Sequence, residues 1–160
     1  MKTLSFNIPA FLFLCSYVIA APLTMDEAMT AACRVNVASN ILSPISSRPI
    51  IKSGGSGTVV MENEEKYFIL TNGHVIDSIA ATTGTPIITV DFFKDGKVYV
   101  TANTKVQWKR YTVNTTIDAA LLAVNKTDLK GYVPKVIRIA YLNIGEVKDI
   151  FGAGCPNGYW

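Results

Sequence analysis

Two stretches decide the fold of this chain: Gly54-Gly55-Ser56-Gly57-Thr58-Val59-Val60 and Ile69-Leu70-Thr71-Asn72-Gly73-His74-Val75-Ile76. Each contains a run of β-branched and other apolar residues, and the polar segment Glu62-Asn63-Glu64-Glu65 lies between the runs. This pattern predicts a β-hairpin. Directly after the second strand comes His74, which is the one histidine among the 160 residues.

Further short apolar runs separated by turn residues extend this β pattern along the chain. Asp95-Gly96 is a strong hairpin turn signal, whereas Ser39–Ser53 is rich in Ser and Pro and predicts a loop. Only Met25–Ala32 is expected to form one or two helical turns. The predicted strands are Arg34–Val37, Thr58–Met61, Lys66–Thr71, Ile87–Phe93, Lys97–Ala102, Lys105–Tyr111, Ala119–Val124 and Val147–Ala153. Such a series predicts an all-β barrel or sandwich.

Composition and the N-terminus suggest a folded domain behind a leader. Apolar residues make up 49% and charged residues 17%, which is typical of a globular chain. The net charge of +3 is dispersed and gives no reason to expect a nucleic-acid partner. The apolar run 8–20 is interrupted and short for a membrane span, so residues 1–20 are expected to be a cleaved signal peptide. Residues 21–32 then form a lead-in segment, 33–160 form one domain, and the protein is expected to be secreted or periplasmic.

Besides His74, a second candidate functional side chain is Asp118. It directly precedes the apolar strand in the stretch Ile117-Asp118-Ala119-Ala120-Leu121-Leu122-Ala123-Val124. A carboxylate that accepts the Nδ1–H of a histidine fixes the tautomer and directs Nε2 at a nucleophile. Asp118 at the head of one buried strand and His74 just after another are the candidates for such a pair, whereas Asp118 without His74 would be a strand-end carboxylate. Asp77 is the competing carboxylate, and we expect it to cap the segment that follows it.

Three motifs occur in the order of a known family. Thr71-Asn72-Gly73-His74 resembles the His motif of trypsin-like serine peptidases, Asp118-Ala119-Ala120-Leu121-Leu122 resembles their Asp motif, and Gly55-Ser56-Gly57-Thr58 resembles the strand before the histidine. The chain is closer to the bacterial Deg-type members than to digestive trypsins. The resemblance covers residues 33–160 and implies an antiparallel Greek-key β-barrel, the N-terminal barrel of a two-barrel fold. It implies catalytic roles for His74 and Asp118.

No nucleophile is expected in this chain. The family order places the serine after the aspartate, and no serine follows Asp118. Ser56 precedes His74, and its neighbouring glycines are attributed to tight backbone turning. Cys155 lacks the Gly-x-Cys-Gly-Gly surround of cysteine-using relatives and is followed by Pro156. The pairing of Cys33 with Cys155 stays open.

The resemblance therefore implies a serine endopeptidase of which this chain holds the His and Asp half, as a fragment that is inactive alone. Its expected partners are a polypeptide substrate and the missing second barrel, with no nucleic acid and no membrane contact after leader cleavage. No cofactor and no metal site are expected. Two alternatives stay open: a catalytically dead, secreted β-barrel that serves as a binding or inhibitory module, and an unrelated β-sandwich.

Overall fold

The structure, a computed structural model, describes residues 24–42, 49–77, 86–112 and 116–137. Within these ranges two short helices and seven strands form, followed by a 3₁₀ turn. They are α1 Met25–Ala31, β1 Ala32–Leu42, β2 Pro49–Glu62, β3 Lys66–Thr71, α2 Gly73–Asp77, β4 Ile87–Lys94, β5 Lys97–Asn103, β6 Lys105–Arg110, β7 Ala119–Asn125 and the turn Lys126–Leu129.

All seven strands join one antiparallel sheet in the order β5-β4-β1-β2-β3-β7-β6. The prediction of an all-β, antiparallel fold is confirmed. The sheet is open in the part of the chain that is described, because β5 and β6 are its two edges. These edge strands are consecutive in the chain and are separated by Thr104, whose N–H donates to the carbonyl of Ile88 at 2.9 Å.

The tight turns form where local chemistry dictates them. Asp95 and Gly96 both have positive φ angles, 52° and 70°, as a two-residue β-turn of the primed type requires. The bend between β2 and β3 is held by the side chain of Asn63, which accepts from the N–H groups of Glu65 at 3.0 Å and Lys66 at 2.7 Å. Both predicted hairpins are present.

The core lies on one face of the sheet, where alternate residues of each strand point inward. Its largest fully buried side chains include Val35, Val59, Ile69, Phe92 and Leu122. Burying a side chain of this size stabilises a fold by about 1.5–3 kcal/mol. Because these residues come from β1, β2, β3, β4 and β7, the core ties the middle of the sheet into one unit.

The predicted loop at Ser39–Ser53 is wrong at both ends. β1 continues to Leu42 and β2 begins at Pro49, so the first strand is much longer than the predicted Arg34–Val37. β1 pairs with β4 as far as Ala38 and with β2 as far as Leu42, and beyond Ala38 it is the ladder with β2 that outweighs the weak β propensity of Ser and Pro. Residues 43–48 and the predicted strand Val147–Ala153 lie outside the described residues.

The attribution of the Gly54–Gly57 glycines to backbone turning is also wrong, because this segment runs inside β2. Gly55 and Gly57 face the core, where space is already filled. A Cβ on Gly57 would lie 2.7 Å from Cγ2 of Ile69 and 3.0 Å from the sulfur of Cys33. These positions therefore require glycine for close packing.

The helical turns predicted at Met25–Ala32 form α1, which ends one residue earlier, at Ala31. A capping box starts this helix: the N–H of Glu27 donates to the Thr24 hydroxyl at 3.2 Å, and the Thr24 N–H donates to the Glu27 carboxylate at 3.0 Å. Lys135 contacts the same carboxylate at 2.5 Å, and the hydroxyl of Tyr132 donates to the carbonyl of Thr30 at 3.3 Å. α1 is thus fixed to the segment after the 3₁₀ turn. Across the described ranges, neither helix has the length or apolar character that crossing a bilayer requires.

Candidate active site: the His74–Asp118 pair

The short helix α2 places His74 at the end of β3. Val75 and Ile76 are buried, with 4% and 6% of their surface exposed, and hold the helix against the core. The hydroxyl of Thr71 donates to the carbonyl of Ser56 at 2.8 Å and fixes the last residue of β3. Because its neighbours point inward, the His74 side chain points outward and is 56% exposed.

Asp118 lies directly before β7, the strand that pairs with β3. The register sets Thr71 opposite Ala120, so the end of β3 and the start of β7 lie side by side. As a result, Nδ1 of His74 and Oδ2 of Asp118 are 2.6 Å apart, although 44 residues separate them in the chain. The structure thus brings together the two residues that the sequence predicted as a pair.

The Asp118 carboxylate also caps α2. Its Oδ1 accepts from the backbone N–H of His74 at 2.9 Å, one of the N–H groups that the first turn of a helix leaves without a partner. The hydrogen bond from the His74 ring lowers the pKa of the Asp118 carboxyl from its ordinary value of 3.8, and the backbone N–H of His74 lowers it further. The carboxylate is therefore ionised at neutral pH.

This geometry fixes the tautomer of the neutral histidine. An ionised carboxylate only accepts hydrogen bonds, so Nδ1 of His74 must carry the proton that bridges to Asp118. Nε2 is then the basic nitrogen. Among the described residues no group makes a hydrogen bond to Nε2, and the His74 side chain is 56% exposed. The contact with Asp118 thus fixes which ring nitrogen carries the proton.

Sequence reasoning missed two residues that contact this pair. The side-chain amide of Asn72 donates to the carbonyl of Asp118 at 3.3 Å and reaches its carboxylate at 3.4 Å. The ring of Tyr111 meets the His74 ring edge to face, with centroids 6.1 Å apart. Asn72 lies within the histidine motif Thr71–His74, so its position next to His74 could have identified it as a site residue. No sequence pattern pointed to Tyr111, because its contact with the His74 ring depends on the path of the chain after β6.

Tyr111 also leaves no room for a side chain at position 73. A Cβ at this position would lie 2.5 Å from Cβ of Tyr111 and 3.2 Å from the carbonyl oxygens of Arg110 and Ala119. The close approach of Tyr111 explains why glycine stands at this position.

The competing carboxylate, Asp77, lies at the end of α2 and forms an ion pair with Lys109 of β6. It is Asp118, and not Asp77, that contacts the histidine ring within the described residues. The predicted role of Asp77 as a cap concerns residues 78–85, which lie outside the described residues.

The candidate nucleophiles that were set aside lie elsewhere. Ser56 is in the interior of β2, opposite Arg34 of β1. Cys155 lies outside the described residues, so its relation to the fully buried Cys33 is untested. The described site therefore comprises the His74 ring and the Asp118 carboxylate that contacts it.

Comparison of the sequence with protein-family models and with curated proteins gives no match.

Proposed function

We propose that this chain carries the His and Asp of a Ser-His-Asp serine endopeptidase. The observation that carries the proposal is the 2.6 Å contact between Nδ1 of His74 and Oδ2 of Asp118, on a ring that is 56% exposed. Capping of α2 alone would need only the backbone N–H groups. The additional bond between Asp118 and the ring, on a side chain that is more than half exposed, is what a catalytic base requires.

In this mechanism Nε2 of His74 takes the proton from a serine hydroxyl while that oxygen attacks the scissile carbonyl. The imidazolium then gives the proton to the leaving amine. Asp118 stabilises the imidazolium and holds its orientation. In the family order the serine follows the aspartate, and no serine follows Asp118 here, so in this proposal the second barrel supplies the serine and the oxyanion-binding N–H groups.

The finer fold in this proposal is a closed Greek-key barrel. It is supported by the two edges of the sheet, β5 and β6, because they are consecutive strands with Thr104 between them. One bent strand that pairs with β4 at its start and with β7 at its end would close the sheet on itself.

The proposed second barrel needs an apolar surface to pack against. The outward face of β3, β6 and β7 carries a cross-strand row made of Leu70, Leu121 and Trp108, in which the tryptophan is 47% exposed. The neighbouring row contains Phe68 beside Met61, and Met61 is 48% exposed. Apolar side chains grouped on one outward face are typical of interaction surfaces.

Peptide hydrolysis by the product of the whole reading frame tests the proposal. We expect His74→Ala and Asp118→Asn each to lower kcat by about 10³-fold or more, because triad members act as a unit. The matched control is Asp77→Asn, which removes a carboxylate from the same helix without touching the ring. The 160-residue chain alone should not turn over substrate. Hydrolysis that survives His74→Ala would contradict the proposal, and a dead enzyme that still binds a partner would favour a binding module.

A further inference from the structure

A cavity of about 580 Å³ lies between α1, the β4–β5 turn and the segment after the 3₁₀ turn. This volume is within the range of small-ligand sites in proteins. The lining of the cavity shares no residue with the His74–Asp118 pair, so the two sites are separate. Its walls include three aromatic residues, Phe93, Tyr99 and Tyr132, together with Met29 and Val133.

The aromatic wall is held in place before any ligand binds. The single O–H proton of Tyr132 is shared between the carbonyl oxygens of Phe93, at 3.1 Å, and Thr30, at 3.3 Å. The Tyr132 ring lies 5.6 Å from the ring of Tyr99. Burial raises the pKa of the Tyr132 hydroxyl, so this donor keeps its proton. A rigid site loses less conformational entropy on binding than a mobile one.

The charges on the lining favour a cation. Asp26 and Asp95 both line the cavity, and neither carboxylate has an ion-pair partner among the residues that the structure describes. Lys94 is the one cation in the lining, so the cavity is locally acidic although the chain as a whole carries a net charge of +3.

The faces of these rings already attract cations of the chain itself. Nζ of Lys94 lies 5.7 Å from the centre of the Tyr99 ring, and the guanidinium carbon of Arg34 lies 5.4 Å from that of Phe93. Both distances are within the roughly 6 Å over which a cation is attracted to an aromatic face. Lys94 therefore occupies, from within the chain, a position that a ligand cation would take.

We propose that this cavity binds an arginine side chain of a peptide partner. The guanidinium stacks on the face of Tyr99 and pairs with the carboxylates of Asp26 and Asp95, while an apolar neighbour in the peptide contacts Met29 and Val133. Arginine is favoured over lysine because its planar group stacks on rings and bonds carboxylates in two directions. The ligand displaces the Lys94 ammonium from the ring.

The test is an NMR titration of the ¹⁵N-labelled 160-residue chain with the peptide acetyl-Leu-Arg-Leu-amide. The control peptide carries citrulline in place of arginine, which keeps the shape and removes the charge. We expect chemical-shift changes centred on the residues that line the cavity. The dissociation constant should be about threefold to tenfold lower for the arginine peptide than for the citrulline peptide, because citrulline cannot make the cation–π contact. Equal binding of the citrulline peptide, or no binding of either, would overturn the proposal.

Variants of the lining sharpen the test. Tyr99→Leu keeps an apolar side chain at a position that is 49% exposed, and it should weaken arginine binding about threefold or more. Asp95→Asn removes charge from a turn residue with φ of 52°, a conformation that Asn tolerates, and it should weaken binding as well.

The most specific expectation is a variant that binds the arginine peptide more tightly than the parent chain. Lys94→Met removes the internal competitor, and it should tighten binding of the arginine peptide about threefold or more. Lys97→Met is the matched control, since Lys97 is a lysine of the same hairpin that does not line the cavity. If Lys94→Met weakens binding or changes it no more than Lys97→Met does, the assigned role of the ring face is wrong.

Discussion

Replacing Gly55 with alanine tests how the helix that carries His74 is held in position. The new Cβ would lie 2.6 Å from Cγ2 and 3.2 Å from Cγ1 of Val75, which is itself only 4% exposed and cannot move outward freely. Overpacking of this kind costs about 1–3 kcal/mol. The lower entropy of the unfolded chain with alanine offsets about 0.4–1 kcal/mol. We therefore expect Gly55→Ala to lower the free energy of unfolding by about 1–2 kcal/mol.

The adjacent glycine provides a matched control. A Cβ on Gly54 would come no closer than 3.4 Å to any described neighbour, the carbonyl oxygen of Val35. Gly54→Ala should therefore leave stability unchanged or raise it by up to about 1 kcal/mol. Urea unfolding followed by circular dichroism measures both variants against the parent chain.

A double substitution identifies the source of the strain. Combining Gly55→Ala with Val75→Ala removes the methyl groups that the new Cβ meets, so the loss for the pair should be smaller than the sum of the single losses by about 1 kcal/mol. Equal stability of the Gly55→Ala and Gly54→Ala variants would refute the packing argument. Strict additivity of Gly55→Ala and Val75→Ala would refute it as well.

Three further predictions concern charged side chains. Asp91→Ala should cost about 3–5 kcal/mol in urea unfolding, because this buried carboxylate accepts from a guanidinium, an amide and a hydroxyl that would be left without it; a loss below about 1 kcal/mol would contradict this. The Lys135 ammonium, and then the Thr24 N–H, hold the pKa of Glu27 at about 2, below its ordinary 4.5. The resulting stabilisation is complete above pH 4.5 and is lost as the pH falls toward 2, and Lys135→Met should raise the pKa measured by ¹³C NMR. Asp118→Asn should move the Nδ1 proton resonance of His74 upfield, because a neutral amide replaces the ionised acceptor, and an unchanged resonance would contradict the 2.6 Å contact.

The local parts of the fold could be predicted from the sequence. β3 has the predicted bounds, Lys66–Thr71, because its apolar run ends at polar residues on both sides. The turn at Asp95-Gly96 forms because both residues accept positive φ angles. The pairing of His74 with Asp118 was predicted from the resemblance of their motifs to those of trypsin-like peptidases, because the strand patterns alone do not show that β3 lies beside β7.

The parts that depend on packing between distant residues could not be predicted. The extension of β1 to Leu42 depends on its pairing with β2, which the Ser- and Pro-rich segment does not reveal. The glycine at position 55 is required by Val75, twenty residues later in the chain, and not by its own backbone angles. Tyr111 reaches the histidine ring only because the end of β6 passes α2.

Covalent labelling of the whole reading-frame product with a fluorophosphonate probe tests the central claim most directly. This reagent reacts with a serine that a neighbouring histidine activates. The account predicts a labelled serine encoded beyond Trp160, within a Gly-x-Ser-Gly-Gly segment, and loss of labelling in the His74→Ala variant. A reading frame that ends at Trp160, or labelling that persists without His74, would contradict it.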